Sequence, residues 1–472
     1  MGARDSALAA AREHFDSGAF VRDLARRVAI RTESQDPASG PALRGYLADE
    51  MAPSLAALGF TSQLFDNPVP AYGPMLIATR HEDDALPTVL IYGHGDVIRG
   101  QDKSWTRGDG PWSVVQDGDR LYGRGTADNK GQHSINLAAL AVVLAQRGGR
   151  LGFNVKWLLE TGEETGSPGL AEFCAAHRDA LAADVLIASD GPRMARDRAT
   201  VFLGSRGVVN FDLSLTLRDG AHHSGNWGGL LRNPGTVLAH AIASLVDADG
   251  RILVEALRPG VDASAIPANV RAALAGLQFG GDVGDPEVDP GWGEPGLTPA
   301  ERVIAWNTLE VLAYRTGNPD HPVNAIPAAA KARMHMRTVV GTDTSRLREV
   351  LQAHLAARGF GAVEVSEPEV STATRLDPDN PWVRFTLASI ERSTGRPAVL
   401  LPNLGGSLPN DVFADILGLP TVWVPHSYAA CQQHAPDEHL LASVAREALQ
   451  LMSGLWWDLG DAAPGLPLRP RS

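Results

Sequence analysis

Three short apolar runs of this chain end in residues that can bind a metal ion or move a proton. The first run leads to His94, whose neutral imidazole is a metal ligand, and to Asp96, which can accept the other ring N–H. The second leads to the adjacent carboxylates Glu163 and Glu164, and the third leads to Asp190. Adjacent carboxylates point in different directions, so one can bind a cation while its neighbour handles the protons of water. Taken singly, each of these motifs also fits an ordinary polar turn.

Two further motifs extend this set of polar residues. Asp128 belongs to the glycine-rich turn 123–131 before a long helix, where it can bridge two cations or cap that helix. His434 precedes a proline and two acidic residues, which suit the first turn of a helix and leave the imidazole free. As metal ligands the five motifs together supply two histidines and three or four carboxylates. Zn²⁺ or Mn²⁺ accepts such a donor set without any thiolate, so a metal site is predicted.

The elements that must position these residues follow an α/β pattern. Strong helical periodicity over 134–146 and a shorter helix over 168–177 separate apolar runs that are typical of buried strands. Because sites in such sheets assemble at the carboxyl ends of strands, we expect these motifs to converge. The runs are 75–78, 88–92, 155–159 and 185–188.

A change of pattern after residue 202 predicts an inserted domain. Alternating strands over 209–217 and 332–336, with a helix over 303–316, indicate a separate α+β unit. We therefore predict an α/β catalytic domain with a mixed sheet flanked by helices, plus this α+β insertion. Helix and strand alternation resumes at helices 344–358, 382–393 and 439–455 and strands 398–401 and 421–424. The predicted boundaries are 1–201 and 341–459 for the catalytic domain, 202–340 for the insertion and 460–472 for a disordered tail.

Composition excludes several classes of protein. With 472 residues and 44% apolar content, the chain suits about two or three globular domains. Its 42 basic and 55 acidic residues give a net charge of −13, which argues against binding to nucleic acid or an anionic membrane. Cys174 and Cys431 cannot form a disulfide framework. The first thirty residues lack a signal-like apolar stretch, and no run approaches a membrane span, so we expect a cytoplasmic protein.

The motifs together resemble a known family, the di-zinc exopeptidases and N-acyl amino acid amidohydrolases. This family includes glutamate carboxypeptidase, acetylornithine deacetylase, aminoacylase and carnosine dipeptidase. The similarity extends in order over nearly the whole chain. It rests on Gly93-His94-Gly95-Asp96, the turn 125–131, Gly162-Glu163-Glu164-Thr165-Gly166-Ser167, Ser189-Asp190, His222-His223-Ser224-Gly225, Asn324-Ala325-Ile326-Pro327, Gly405-Gly406-Ser407 and His434-Ala435-Pro436.

The resemblance implies two divalent metal ions per chain, zinc in the first place, with manganese or cobalt as alternatives. Asp128 would bridge them. His94 and Asp190 would complete one site, and Glu164 and His434 would complete the other.

Proton transfer in this family is carried out by a carboxylate next to one of the metal ligands. By resemblance Glu163 is the general base, which takes a proton from water and then gives it to the departing nitrogen. Asp96 would hold His94 from behind. Family members often have a cis bond at the position of Asp128-Asn129.

The insertion resembles the lid and dimerisation domain of the family, which implies a homodimer. His223 would stabilise the oxyanion in the partner subunit's site. Arg337 would bind the substrate carboxylate together with the loop Gly405-Gly406-Ser407, and Asn324 would contact the substrate. From the residues alone, His223 could also be a histidine in a turn and Arg337 a solvated arginine. The loop Gly405-Gly406-Ser407 could also be an ordinary glycine turn.

The long lid resembles the dipeptidase branch of the family. The sequence before His434 differs from that branch. Its members usually have an acidic pair shortly before the last metal-binding histidine, whereas this chain has Gln432 and Gln433. His426 and Tyr428 either line the pocket or form a packed loop. We therefore predict hydrolysis of an amide next to a free carboxylate in a dipeptide, with an N-acyl amino acid as the alternative substrate. An inactive binding protein on the same fold is a more distant alternative.

Overall fold

The computed structural model describes residues 2–279, 286–462 and 465–469. The chain divides into two units, each built from separate segments. The first unit comprises Met1–Gly204, Leu376–Leu401 and Pro409–Ser472, and the second comprises Ser205–Arg375 and Pro402–Leu408. Among the described helices, none combines the length and the apolar character that a membrane span requires.

A mixed eight-stranded sheet forms the centre of the first unit, which confirms the predicted α/β fold class. Four of its neighbouring pairs are parallel, and three are antiparallel. The strands in spatial order are Thr61–Phe65, Met75–Arg80, Asn154–Glu160, Thr88–His94, Val185–Ala188, Thr421–Trp423, Thr200–Phe202 and Val399–Leu401.

The helices of the first unit bury their apolar faces against this sheet and against each other. Lys130–Gln146 packs on the strand Thr88–His94 and on three other helices, and its side chains are buried along nearly its whole length. This packing fixes the start of the helix, and with it the turn that carries Asp128. The other helices are Ala3–Asp16, Ala19–Val28, Gly40–Gly45, Ala52–Ala56, Leu170–Ala176, Arg178–Leu181, Pro381–Thr394 and Ala442–Ala462.

The second unit contains an antiparallel sheet with its own apolar core, as the sequence pattern predicts. The alternating strand Gly207–Thr216 pairs along its length with Ala329–Thr338, and every second side chain is buried. The other strands of this sheet are Thr308–Thr316, Glu364–Val365 and Glu369–Ser371. The helices are Ser224–Trp227, Pro234–Ala243, Ala268–Leu274, Pro299–Ala305 and Leu347–Ala357.

Two predicted helices are wrong in part. The predicted helix 303–316 is a short helix, Pro299–Ala305, followed by the strand Thr308–Thr316. A capping box at Thr298 starts the helix early, and pairing with Ala329–Thr338 imposes the extended conformation. The C-terminal helix begins at Ala442, because the preceding residues His439–Leu441 pair with another strand.

Two predicted boundaries also differ from the structure. The helix Leu347–Ala357 lies with the second unit, because its leucines belong to the core of that unit, whereas the sequence pattern predicts that residues after 340 belong to the catalytic domain. Of the predicted disordered tail, 460–462 is helical, and the backbone N–H of Arg469 donates to Asp184 Oδ1 at 2.7 Å. Residues 463–464 and 470–472 of that tail lie outside the described residues.

Candidate functional site

Asp128 belongs to two groups of potential metal ligands in the first unit. One group is His94, Asp128 and Asp190, and the other is Asp128, Glu164 and His434. His94 Nε2 lies 3.0 Å from Asp128 Oδ1 and 3.6 Å from Asp190 Oδ2. His434 Nε2 lies 3.3 Å from Asp128 Oδ2 and 2.9 Å from Glu164 Oε2. The structure therefore brings together all five residues that the family resemblance implies as ligands.

The sheet explains why these side chains meet. His94 ends the strand Thr88–His94, which lies between and parallel to the strands that precede Glu164 and Asp190. The carboxyl ends of parallel strands share one edge of a sheet, where sites of α/β proteins assemble. Asp128 comes from the turn before the long buried helix, and the Asp128-Asn129 peptide bond is cis. His434 comes from the loop before the strand His439–Leu441.

The electrostatics of this cluster fit a bound cation. Asp190 Oδ2 is buried and has no hydrogen-bond partner. Burial, followed by repulsion from Asp128, raises the pKa of Asp190 to about 6 and that of Glu164 to about 7. Carboxylates crowded in this way are stabilised by a divalent cation, which accepts their oxygens and the imidazole nitrogens of His94 and His434. The residues present therefore fit the two metal ions that the family resemblance implies.

Glu163 lies beside these groups without belonging to either. Its Oε2 is 3.9 Å from His94 Nε2. Burial raises the pKa of its carboxyl well above the ordinary value, although His94 opposes this shift. A carboxylate with a raised pKa near a metal site has the properties of a general base.

Asp96 lies behind the site and is completely buried. Its carboxylate Oδ1 is 3.4 Å from His94 Nδ1, and its backbone oxygen is 3.1 Å from the same nitrogen. This contact leaves Nε2 of His94 directed to Asp128, as a metal ligand requires.

The second unit contains the other predicted site residues. Arg337 Nη1 donates to Ser407 Oγ at 2.8 Å. Ser407 Oγ in turn donates to the backbone oxygen of Arg206 at 2.7 Å, and Arg206 Nε donates to the backbone oxygen of Gly405 at 3.0 Å. Burial lowers the pKa of Arg206 to about 10, and the charge of Arg337 adds to this shift. Arg206 is not among the predicted site residues, because nothing in the sequence around it indicates that it supports the Gly405–Ser407 loop.

His223 and Asn324 are neighbours in the same unit. The short strand His222–His223 pairs with Ala325–Ile326, and the backbone N–H of Ser224 donates to the backbone oxygen of Asn324 at 2.9 Å.

Three residues near His434 in the chain have defined partners. His426 is buried, and its Nε2 lies 3.1 Å from the Oγ of Ser189, the residue that precedes Asp190 in the chain. The Tyr428 hydroxyl lies 2.6 Å from His439 Nε2. Gln433 Nε2 donates to Asp128 Oδ2 at 3.2 Å, a contact that the sequence does not indicate.

The first unit thus combines a mixed α/β sheet with two groups of carboxylates and histidines that could hold metal ions. Residues 90–458 match the model of peptidase family M20/M25/M40. The chain belongs to this family and is a metallopeptidase-family enzyme.

Individual proteins show the same similarity. The chain is 29% identical over 349 residues to a cysteinylglycine-S-conjugate dipeptidase of Corynebacterium striatum. This alignment covers 71% of this chain and 72% of that protein. It is 33% identical over 256 residues to a Beta-Ala-His dipeptidase of Mus musculus, in an alignment that covers 51% of this chain and 50% of that protein. An M20 family metallo-carboxypeptidase from Sulfolobus solfataricus has the same fold, with a TM-score of 0.77 and 24% identity over 94% of this chain and 99% of that one.

Proposed function

We propose that this protein is a zinc-dependent dipeptidase that cleaves an amide bond next to a free carboxylate. The observation that carries the proposal is the position of Asp128 in both ligand groups, which is the arrangement that a two-metal hydrolase needs. The relatives named above as dipeptidases support a dipeptide substrate.

The ligands divide into two sets of three that share one carboxylate. His94 and Asp190 would hold one ion, Glu164 and His434 would hold the other, and Asp128 would contact both. When bound, such ions supply Lewis acidity, which lowers the pKa of water and stabilises negative charge on a carbonyl oxygen.

Glu163 moves the protons in this proposal. Its carboxylate takes a proton from water as the water oxygen bonds to the amide carbon. The carboxyl group then gives this proton to the amide nitrogen as the carbon–nitrogen bond breaks. The raised pKa of Glu163 makes it a stronger base than an ordinary carboxylate and lets it retain the proton between the two steps.

The second unit supplies the groups that recognise the substrate. The guanidinium of Arg337 and the Gly405–Ser407 loop would bind the carboxylate, because a planar fork beside a hydroxyl matches two carboxylate oxygens. Asn324 would contact the substrate, and His223 would donate to the oxyanion of the partner subunit's site.

A homodimer through the second unit completes the proposal. Thr308–Thr316 is the last strand on its side of the described sheet, and it exposes Val311, Leu312 and Tyr314. An exposed apolar edge strand favours pairing with another chain. Light scattering coupled to gel filtration tests this assembly, and Leu312→Lys should shift it towards monomer.

An N-acyl amino acid deacylase is the second candidate. The observation that favours it is the pair Gln432-Gln433 in place of acidic residues that would bind a free amino group. In the deciding experiment the zinc-loaded protein is assayed on a dipeptide panel and on matched N-acetyl and N-succinyl amino acids, with metal content measured in parallel. Faster cleavage of dipeptides supports the dipeptidase, whereas faster cleavage of the acylated series supports the deacylase. Cleavage of neither by protein carrying two ions contradicts the proposed function.

A further inference from the structure

A buried ion pair joins the turn that carries Asp128 to the loop that carries His434. Arg124 Nη1 is 2.8 Å from Glu438 Oε2, and each side chain is only 1% exposed. Neither residue belongs to the ligand groups described above, and the proposed chemistry uses neither of them.

Glu438 fixes the backbone of the turn that carries Asp128. Its Oε1 accepts hydrogen bonds from the backbone N–H groups of Ala127 and Asp128, both at 3.0 Å. Its Oε2 accepts a third from Gly125 at 3.0 Å, in addition to the bond from Arg124. Four donors thus converge on one carboxylate: three backbone N–H groups of the turn and the guanidinium of Arg124.

Arg124 fixes the loop that carries His434. Its Nη2 donates to the backbone oxygen of Ala435 at 2.9 Å. Three non-glycine residues of this loop, Gln432, His434 and Asp437, have positive φ angles between 59° and 64°. Such a backbone persists only where surrounding contacts determine it. Thr106 and Arg107 hold the carboxylate of Asp437, and the bond from Arg124 to Ala435 holds the backbone next to His434.

We infer that Arg124 and Glu438 are positioning residues that set the distance between Asp128 and His434, and thereby the metal affinity of the group that contains His434. The inference rests on the proposed ligand roles. One guanidinium bonds both the Glu438 carboxylate and the loop of His434, while that carboxylate bonds the turn of Asp128.

The two residues should affect the metal groups differently. Arg124→Lys keeps the charge beside Glu438, but a single ammonium cannot replace both arms of the guanidinium, so the bond to Ala435 is lost. The turn of Asp128 retains its three bonds to Glu438. Arg124→Lys should therefore weaken the His434 group alone. Glu438→Gln places an amide N–H₂ against N–H donors of the turn, and it should weaken both groups because both contain Asp128.

The test measures Zn²⁺ affinity by competition with a fluorescent chelator in two backgrounds. Asp190→Asn leaves the group of His434, and His434→Ala leaves the group of His94. Arg124→Lys should weaken Zn²⁺ binding at least about tenfold in the first background, the usual effect of removing a supporting contact, and less than about threefold in the second. Glu438→Gln should weaken binding at least about tenfold in both.

Asp458→Asn is the matched control for general destabilisation. Asp458 is a buried carboxylate paired with Arg4 at 2.8 Å in the C-terminal helix, and its loss should lower the melting temperature with little change in either Zn²⁺ affinity. If a single variant fails to fold, the double variant Arg124→Met/Glu438→Gln leaves no buried charge unpaired, and it should weaken both groups.

Equal effects of Arg124→Lys in the two backgrounds, or no effect, would overturn the inference. Unaltered affinity in Glu438→Gln or in the folded double variant would do the same. Failure of the proposed function is recognised separately, because the Asp190→Asn and His434→Ala backgrounds would then each keep the full zinc content of the unaltered chain.

Discussion

Glu163 and Glu164 are consecutive in the chain, yet their carboxylates lie beside different histidines. Glu164 Oε2 is 2.9 Å from His434 Nε2, whereas Glu163 Oε2 is 3.9 Å from His94 Nε2. Their backbone N–H groups both donate to the carboxylate of Asp96, at 3.2 and 3.1 Å. The same buried carboxylate thus orients the turn of both glutamates and contacts His94.

This geometry predicts different losses for the two glutamates. Glu163→Ala should keep both metal ions and lose about two to four orders of magnitude in kcat, the usual contribution of a general base. Glu164→Ala should lose metal instead. Elemental analysis and steady-state kinetics on the same preparations check both. If only Glu163→Ala loses metal, Glu163 is the metal ligand and Glu164 is the general base.

Asp128→Ala should disturb both metal groups at once, because Asp128 belongs to each of them. Metal content should fall well below two ions per chain, and activity should fall with it. Asp190→Asn serves as the comparison, since it removes a ligand from one group only. Two tightly bound ions in Asp128→Ala would contradict the bridging role.

Arg337→Ala should act on substrate binding. Its guanidinium contacts Ser407, and without it KM for a substrate with a free carboxylate should rise strongly. A substrate amidated at that carboxylate should be a poor substrate for the unaltered enzyme and lose little further in the variant. An equal loss of activity on both substrates would show that Arg337 does not bind the substrate carboxylate.

His223→Ala should lower kcat by about two to three orders of magnitude with metal content unchanged, as loss of one oxyanion donor does. If His223 acts in the partner subunit's site, heterodimers of His223→Ala and Glu163→Ala chains should regain activity. One of the two sites is then intact in both its base and its histidine. Inactive heterodimers of verified composition would exclude this exchange between subunits.

Glu160 should make the stability of the metal-free protein depend on pH. Burial, with a smaller contribution from Asp96, raises the pKa of this carboxyl to about 7 from 4.5. Between these values the folded state binds more protons than the unfolded state, so the free energy of unfolding should fall as pH rises, by on the order of 3 kcal/mol.

The variant Glu160→Gln isolates this effect. It cannot ionise, and its side-chain oxygen can still accept from Tyr92 and Ser167, as Glu160 Oε1 does at 2.8 and 2.9 Å. Urea unfolding of chelator-treated protein from pH 4.5 to 8 should therefore show a smaller decline in the variant. Parallel curves for the two proteins would contradict a raised pKa at Glu160.

The elements around the site could be predicted because buried strands have continuous apolar runs. The run 185–188 coincides with the strand Val185–Ala188, and 155–159 falls within Asn154–Glu160. Glu164 and Asp190 follow these strands within four residues, so the sequence pattern was enough to predict that they lie at one edge of the sheet. The helix predicted over 303–316 failed because pairing with a distant strand outweighed the local pattern.

Residues that act through backbone contacts could not be found in this way. Glu438 was assigned to the first turn of a helix, where an acidic residue is common. The structure instead places its carboxylate on the N–H groups of residues more than 300 positions earlier in the chain. Nothing in the sequence around Glu438 or Arg124 shows this approach, because backbone donors look alike at every position.

The division of both units into separate segments has a consequence for protein synthesis. A ribosome that has reached Arg375 has produced His94, Asp128 and Asp190, but neither His434 nor Ser407. The bond from Arg206 to Gly405 joins residues 199 positions apart, and the central strand Thr421–Trp423 also arrives late. Neither unit can complete its fold cotranslationally before most of the chain has emerged, so the nascent chain exposes incomplete sheet edges for much of its translation.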